Sequence, residues 1–180
     1  TTPMWASSVF SVMCSILRQT FPLFCHGMSQ ENPDKFELMA KMVATVQERP
    51  LSAEEIAIFN AHNHGLGGLL GLDFTFVSKD EVRAQLEVKP EHHQPWGAAN
   101  GGLYCSIAES VGSIASFVAA AAPVVGINNN TDFIRSVSDG ILEAVATPVQ
   151  LGRRTHIWCV EMRQAGKLIA RTNLRTMVNP

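Results

Sequence analysis

The sequence is short of most signals that mark a protein built to hold a large charged partner. Fourteen Lys and Arg stand against sixteen Asp and Glu, a net charge of -2 with histidine neutral. No basic surplus is therefore available to neutralise a nucleic-acid backbone or to adhere to an anionic membrane. A phosphorylated small ligand is not excluded, because it needs only a few local cations. The four cysteines, Cys14, Cys25, Cys105 and Cys159, form no CxxC pair. Their scatter argues against a disulfide framework and a zinc site, and makes a reducing cytoplasm the simplest home. The six histidines include adjacent His92 and His93 and the pair His62 and His64, none at metal-ligand spacing, so no metal is expected. Internal repeats and low-complexity tracts are also missing. A chain of 180 residues is expected to form one domain with a good-sized core.

Residues 1–49 read as an N-terminal extension of unknown role, ahead of a domain over residues 50–180. Trp5 to Cys25 is apolar apart from Arg18 and a break at Pro22. A shortened signal peptide, a membrane anchor and a segment packed on the surface all remain open for it. Its longest uncharged stretch, Thr1 to Leu17, falls short of the ~20 residues that a spanning helix needs. No basic segment precedes it, as a secretory signal requires. Met28-Ser29-Gln30-Glu31 would make a natural start for a soluble protein.

What is present is a clear change of period along the chain. Ser52 followed by Glu55 is a capping-box signature and predicts a helix from Ser52 to about His62, with Gly65 as its stop. Gly65, Gly67, Gly68 and Gly71 follow a helix rather than a strand and lack the GxGxxG spacing, so they predict a flexible connection, not a nucleotide loop. Glu81 to Val88 alternates without error between polar and apolar residues, which is a half-buried strand. Leu72 to Val77 pairs with it as a hairpin. Leu103, Ile107, Val111, Ile114 and Val118 then recur at three and four residues, predicting a helix over Gly101 to Ala121. Its other face carries Cys105, Ser106, Glu109, Gly112, Ser113 and Ser116: small residues with one carboxylate. A solvated face would carry Lys, Arg and several Glu, so this composition predicts close approach by another backbone or a ligand. Four strand-like runs follow: Val124 to Ile134, Ile141 to Gln150, Thr155 to Met162 and Leu168 to Val178. The short turns between them predict antiparallel neighbours. The fold class is α+β, one long helix with an antiparallel sheet to wrap it.

Three separated stretches carry a resemblance. His93-Gln94-Pro95-Trp96-Gly97-Ala98-Ala99-Asn100-Gly101-Gly102 precedes a helix with Glu109. Val125-Gly126-Ile127-Asn128-Asn129-Asn130-Thr131-Asp132-Phe133 and Gly152-Arg153-Arg154 come further along. In this order they resemble the hot-dog-fold thioesterases over about Ser52 to Val178. The nearest branches are the phenylacetate-degradation type and the 4-hydroxybenzoyl-CoA thioesterases that use glutamate. The resemblance implies hydrolysis of an acyl-CoA thioester at a site shared by two subunits of a homodimer or homotetramer. No cofactor is implied, coenzyme A being part of the substrate, and neither a membrane nor a nucleic acid is an implied partner.

Thioester hydrolysis needs a polarised carbonyl and an activated water or a nucleophile. The first amides of a helix lack intrahelical partners and carry the positive end of the helix dipole. The resemblance implies the Gly101 amide as donor to the thioester oxygen, with Asn100 and Gly102 lining the same helix start. Glu109 would be nucleophile or general base; its plain alternative is a hydrogen-bonded buried carboxylate. Eight residues at ~1.5 Å each separate the two by ~12 Å along a straight helix, too far to serve one carbonyl, hence the shared site. Gln94 matches a family position near the reacting group, and Ser113, one turn beyond Glu109, one that can bond the carboxylate. Asn128, Asn129 and Asn130 match the segment beside the substrate tunnel. Gly152, Arg153, Arg154 and Thr155 match a turn that clamps the coenzyme's phosphates; without the motif an Arg-Arg turn reads as merely solvated. One departure stands out: Asn100 occupies the place where most relatives have His. Asn caps a helix start at least as well, but it cannot take up and release a proton near neutral pH, so a proton-carrying role for that His is not kept. The alternatives are a non-catalytic acyl-CoA-binding hot-dog protein and a hydratase, which would need a catalytic histidine with an acidic partner.

Overall fold

The computed structural model of the protein describes residues 33–179. The apolar run Trp5 to Cys25 and the alternative start at Met28 lie outside the described residues. Helix α1, Pro33–Glu48, falls within the segment set apart as an extension, yet its buried Met42 and Val46 join the main hydrophobic cluster. Gln47 ties it to the central helix, Nε2 donating to the Val118 carbonyl at 2.7 Å. Helix α2, Ala53–Ala61, begins as its capping box predicts: Ser52 accepts from the Glu55 amide and the Glu55 carboxylate accepts from the Ser52 amide. It ends at His62, before Gly65. The stretch expected as a flexible connection contains a third helix, α3, Leu66–Leu70, capped by Gly71 in the left-handed region.

Six strands follow in one antiparallel sheet: β1 Asp73–Val77, β2 Val82–Glu87, β3 Val124–Phe133, β4 Ile141–Leu151, β5 Thr155–Gln164 and β6 Lys167–Val178. Between β2 and β3 runs helix α4, Gly101–Ala120. The spatial order is β1-β2-β4-β5-β6-β3. One expectation fails here, since β3 and β4 are successive but not neighbours. Strand β3 pairs along β6, from Val124 opposite Val178 to Phe133 opposite Ala170, and the connection Ile134 to Gly140 returns to the far side of β5. It is held on the way by Ile134 and Arg135 donating to the Ile169 carbonyl and by Ala99 donating to the Val137 carbonyl, all within 3.0 Å. The reason is geometric: α4 spans the sheet, so the chain leaves it at the opposite edge.

The inner face of the sheet carries Val82, Ala84 and Leu86, Leu142, Ala144 and Ala146, Trp158, Val160 and Met162, and Ala170 and Leu174, all buried. Against them α4 buries Leu103, Ile107, Val111 and Val118; Ile114 is half-buried. The small-residue face of α4 is thus divided. Gly112 and Ser116 press on β5 and β6, whereas Glu109 turns to the edge strand β3. A Cβ built on Gly112 would overlap Leu174 Cδ2 and lie 3.4 Å from Val160 Cγ2. Among the described residues α4 is also the one helix long and apolar enough to cross a membrane, and it is the core helix of this sheet.

Gly112→Ala sets two effects against each other. Removing a glycine from a helix interior is worth about 1 kcal/mol, while overpacking a full core costs about 1–3 kcal/mol. Leu174 is wholly buried and cannot swing clear, so overpacking wins. Chemical denaturation should show the variant less stable than the native protein by about 1 kcal/mol.

Candidate active site

The helix start is built from the loop that precedes it. His92 accepts at Nδ1 from the Lys89 amide at 3.1 Å and, through its carbonyl, from the Asn100 amide at 2.9 Å. His93 Nε2 meets the Ser138 carbonyl at 2.7 Å, so it has a backbone partner rather than an acidic one. Between them Gln94 donates its amide to Ala98 and accepts the Gly97 amide through its carbonyl. Gly97 sits at φ 81, where a side chain would be strained. The Gln94 side chain accepts the Trp96 amide at 3.1 Å, leaving its Nε2 without a described partner.

Asn100 is the N-cap of α4. Its side chain accepts the Gly102 amide at 2.8 Å, and its carbonyl accepts the Leu103 amide at 2.9 Å. Gly102 is therefore occupied, and the Gly101 amide donates to no described residue. A Cβ at Gly101 would sit 2.6 Å from the Phe133 ring, so a larger residue here would have to push that ring aside. The helix start offers one free amide at its positive end, beside an exposed aromatic ring.

Two turns on, the Glu109 carboxylate lies directly over β3. A Cβ on Gly126 would overlap Oε1. Asn129 Nδ2 donates to Oε2 at 3.2 Å and also to the Cys105 carbonyl at 3.0 Å. Thr131 Oγ1 donates to Asn129 Oδ1 at 2.7 Å, which fixes which way the amide faces. Ser113 Oγ donates to Oε1 at 3.4 Å. Both bonds to the carboxylate exceed the usual ~2.9–3.0 Å for N–H donors or ~2.7–2.8 Å for hydroxyls. No described cation pairs with it. A carboxylate has about four acceptor positions, and two are used. The remainder face an open depression of about 350 Å³, lined by Leu66, Cys105, Ser106, Glu109, Ser110 and Asn129.

Of the three consecutive asparagines only Asn129 reaches this site. Asn128 and Asn130 are exposed, opposite Arg175 and Asn173 of β6, because strand residues alternate faces. Gly152, Arg153 and Arg154 form the turn between β4 and β5, with both arginines exposed. The Gly152 amide donates to the Thr155 carbonyl at 3.0 Å, and the Val178 amide to that of Arg154 at 3.0 Å. Behind the turn lies a wholly buried polar chain: Ser116 Oγ meets His156 Nδ1 at 2.9 Å and Thr176 Oγ1 at 2.6 Å. His156 also hydrogen-bonds the Gly152 backbone, but burial outweighs that bond and pushes its pKa below the usual histidine value. The turn is thus fastened to α4 at Ser116, about 10 Å along the axis from Glu109. Sequence reasoning missed Ser110, Leu66 and the roles of Gly126 and Phe133. Gly126 had a signal, as the one glycine in a strand.

A model of the thioesterase superfamily matches residues 97–170. A Mycobacterium tuberculosis protein named as a candidate esterase is 41% identical over 112 residues, covering 59% of this chain and 80% of its own length. Its solved structure covers 63% of this chain and 94% of that chain at a TM-score of 0.62 and 39% identity. The 1,4-dihydroxy-2-naphthoyl-CoA hydrolase of Escherichia coli is 31% identical over 123 residues, 66% of this chain and 90% of the relative. A Haemophilus influenzae thioesterase structure shares 27% identity and a TM-score of 0.65 over 72% of this chain and 91% of that one. The chain belongs to the thioesterase superfamily, hydrolases that act on thioesters, and has its hot-dog fold. The depression beside Glu109 lies within the matched region apart from Leu66.

Gly126→Ala should lift the carboxylate off β3 without touching the core, since Gly126 is exposed on an edge strand. Thioesterase turnover should fall at least about tenfold, ~1.4 kcal/mol of barrier, while the melting temperature stays near that of the native protein.

Proposed function

We propose that the protein hydrolyses an acyl-CoA thioester to free acid and CoA, with Glu109 as nucleophile or general base and the Gly101 amide polarising the carbonyl. The observation that carries this reading is a half-buried carboxylate without a cation, held by Asn129 and Ser113 over Gly126 and open to a depression. A carboxylate kept only for structure would have its acceptor positions filled; this one keeps two for water or substrate. Activity named in CoA terms for the E. coli relative supports the coenzyme. The glutamate and the motif order support a reading within the phenylacetate-degradation and 4-hydroxybenzoyl-CoA branches.

The site is completed by a second copy of the chain. Gly101 and Glu109 lie ~12 Å apart along one helix, so the amide of one protomer works with the carboxylate of the other. The edge strand β3 leaves Val125, Ile127 and Phe133 exposed, an apolar margin suited to a homodimer. Gln94 Nε2 is free to orient the carbonyl or water. Arg153 and Arg154 take the phosphates of coenzyme A, on a turn stiffened from below by His156.

Glu109→Gln should abolish thiol release from acyl-CoA esters while leaving folding and ester binding nearly intact. Retention of more than about a tenth of the rate, a barrier change under ~1.4 kcal/mol, would remove Glu109 from the chemistry. Arg153→Ala and Arg154→Ala should raise KM for CoA esters far more than for short thioesters lacking the nucleotide. Equal effects on both substrate types would reduce the pair to a structural turn.

A further inference from the structure

The hydrogen-bonded chain Thr176–Ser116–His156 is enclosed, at 0%, 0% and 5% exposure, and the hydrolytic chemistry does not use it. It stands where three elements meet: Ser116 on α4, His156 on β5 opposite Leu151 of β4, and Thr176 on β6 opposite His156. A neutral imidazole has one donor nitrogen and one acceptor. His156 bonds the Gly152 backbone as well as Ser116 Oγ, so a neutral ring that donates to the Gly152 carbonyl accepts at Nδ1 from Ser116. Ser116 Oγ then accepts from Thr176 Oγ1 at 2.6 Å. In this direction every proton has a place.

A proton added at Nδ1 reverses the chain. The nitrogen becomes a donor, Ser116 must turn its hydrogen to Thr176, and Thr176 must find an acceptor that no described hydrogen bond supplies. A buried hydroxyl without its bond is destabilising, and a buried charge without a counter-ion more so. The surroundings hold no such counter-ion. On α4 the nearest carboxylate is Glu109, about 10 Å along the axis from Ser116. On β4 it is Glu143, near the other end of that strand. Glu161 of β5 lies on the opposite face of the sheet and pairs with Arg163. Arg175 of β6 and Arg153 and Arg154 of the turn are cations. Helix α1, tied to α4 at Val118, exposes Glu37, Lys41 and Glu48 to solvent.

Resting on the reading of Arg153 and Arg154 as the phosphate clamp, we propose that His156 is a positioning residue that makes the clamp pH-sensitive: the neutral ring latches the Gly152–Arg154 turn to α4, and acidification releases it. Burial lowers the His156 pKa against the bond to Gly152, in the same direction. A histidine depressed in the folded state contributes stability that is present above the unfolded value, about 6.5. That contribution is lost as pH falls through the lower, folded value. The loss falls on the turn, where both arginines are exposed, because Ser116 and Thr176 sit in packed elements.

The test compares the native protein with His156→Gln, whose amide can accept from Ser116 and donate to Gly152 but cannot titrate. Dissociation constants for coenzyme A and for pantetheine, which lacks the nucleotide, are measured at about pH 7.5 and about pH 5.5, on either side of the histidine value. Their ratio cancels any titration of Glu109, and the variant cancels that of the ligand's own phosphate, near pH 6. Native preference for coenzyme A should fall about tenfold more than in His156→Gln, the change that one linked proton gives over a single pH unit. An equal fall in both proteins would overturn the proposal. Nuclear magnetic resonance of the native protein tests the latch without a variant. The His156 ring should titrate below the usual histidine value, and the Gly152 and Arg154 amides should shift with the same midpoint. Amides that hold still while the ring titrates, or a ring that titrates only as the whole fold opens, would overturn it too. Arg153→Ala with Arg154→Ala separates the two readings: a coenzyme A preference that survives both at neutral pH sinks the clamp, while the amide titration still decides the latch.

Discussion

The approach of α4 to the sheet depends on two side chains that are not there. Gly112 on the helix leaves room for Leu174 and Val160, and Gly126 on β3 leaves room for the Glu109 carboxylate. Protein interiors are packed too densely to yield a methyl group without displacement, so Gly112 sets how deeply the helix lies, and Gly126 sets where the Glu109 carboxylate can rest. The rest of the molecule follows from that depth. The inner residues of β2, β4, β5 and β6 meet one apolar stripe of α4, and its opposite flank is pressed against β3.

Because the helix lies across the sheet, it distributes the chemistry along its length. The free Gly101 amide lies at one end, Glu109 lies two turns on, and Ser116 near the other end fastens the turn that bears Arg153 and Arg154. Each station is held by a different part of the chain: the His92–Asn100 loop, strand β3, and the buried His156–Thr176 pair. Reacting groups held on regular elements are placed more precisely than groups on loops alone. The two outermost stations are too far from the centre to act on one atom, which is why the proposed chemistry needs a second copy.

The polar contacts of Glu109 are neutral and long, and this matters more than their number. An arginine in place of Asn129 would hold the carboxylate tightly and fill its free acceptor positions. Asn129 orients it without charge, and is itself oriented by Thr131. The exposed Leu66 on a pinned helix adds an apolar wall to an otherwise small and polar depression. Its backbone is held next to β1 by Asn63, which donates to the Leu72 carbonyl.

Much of this was legible from residues alone because it rests on local periodicity. Perfect alternation from Glu81 to Val88, the three-and-four spacing from Leu103 to Val118, and the Ser52–Glu55 box each describe interactions within a few residues. The lone carboxylate among small residues marked Glu109 for the same reason. What the sequence could not supply were choices between distant partners. Pairing β3 with β6 instead of β4 depends on where α4 releases the chain. Only one of three asparagines meets Glu109, a matter of strand register, and α3 forms a helix rather than a flexible link because Asn63 and Gly67 bond the Leu72 backbone just ahead of β1. Local patterns determined which elements form and which residue types could react. Tertiary structure alone decided which of those residues meet, because contacts between distant segments are set by the packing of the whole chain and leave no short-range trace.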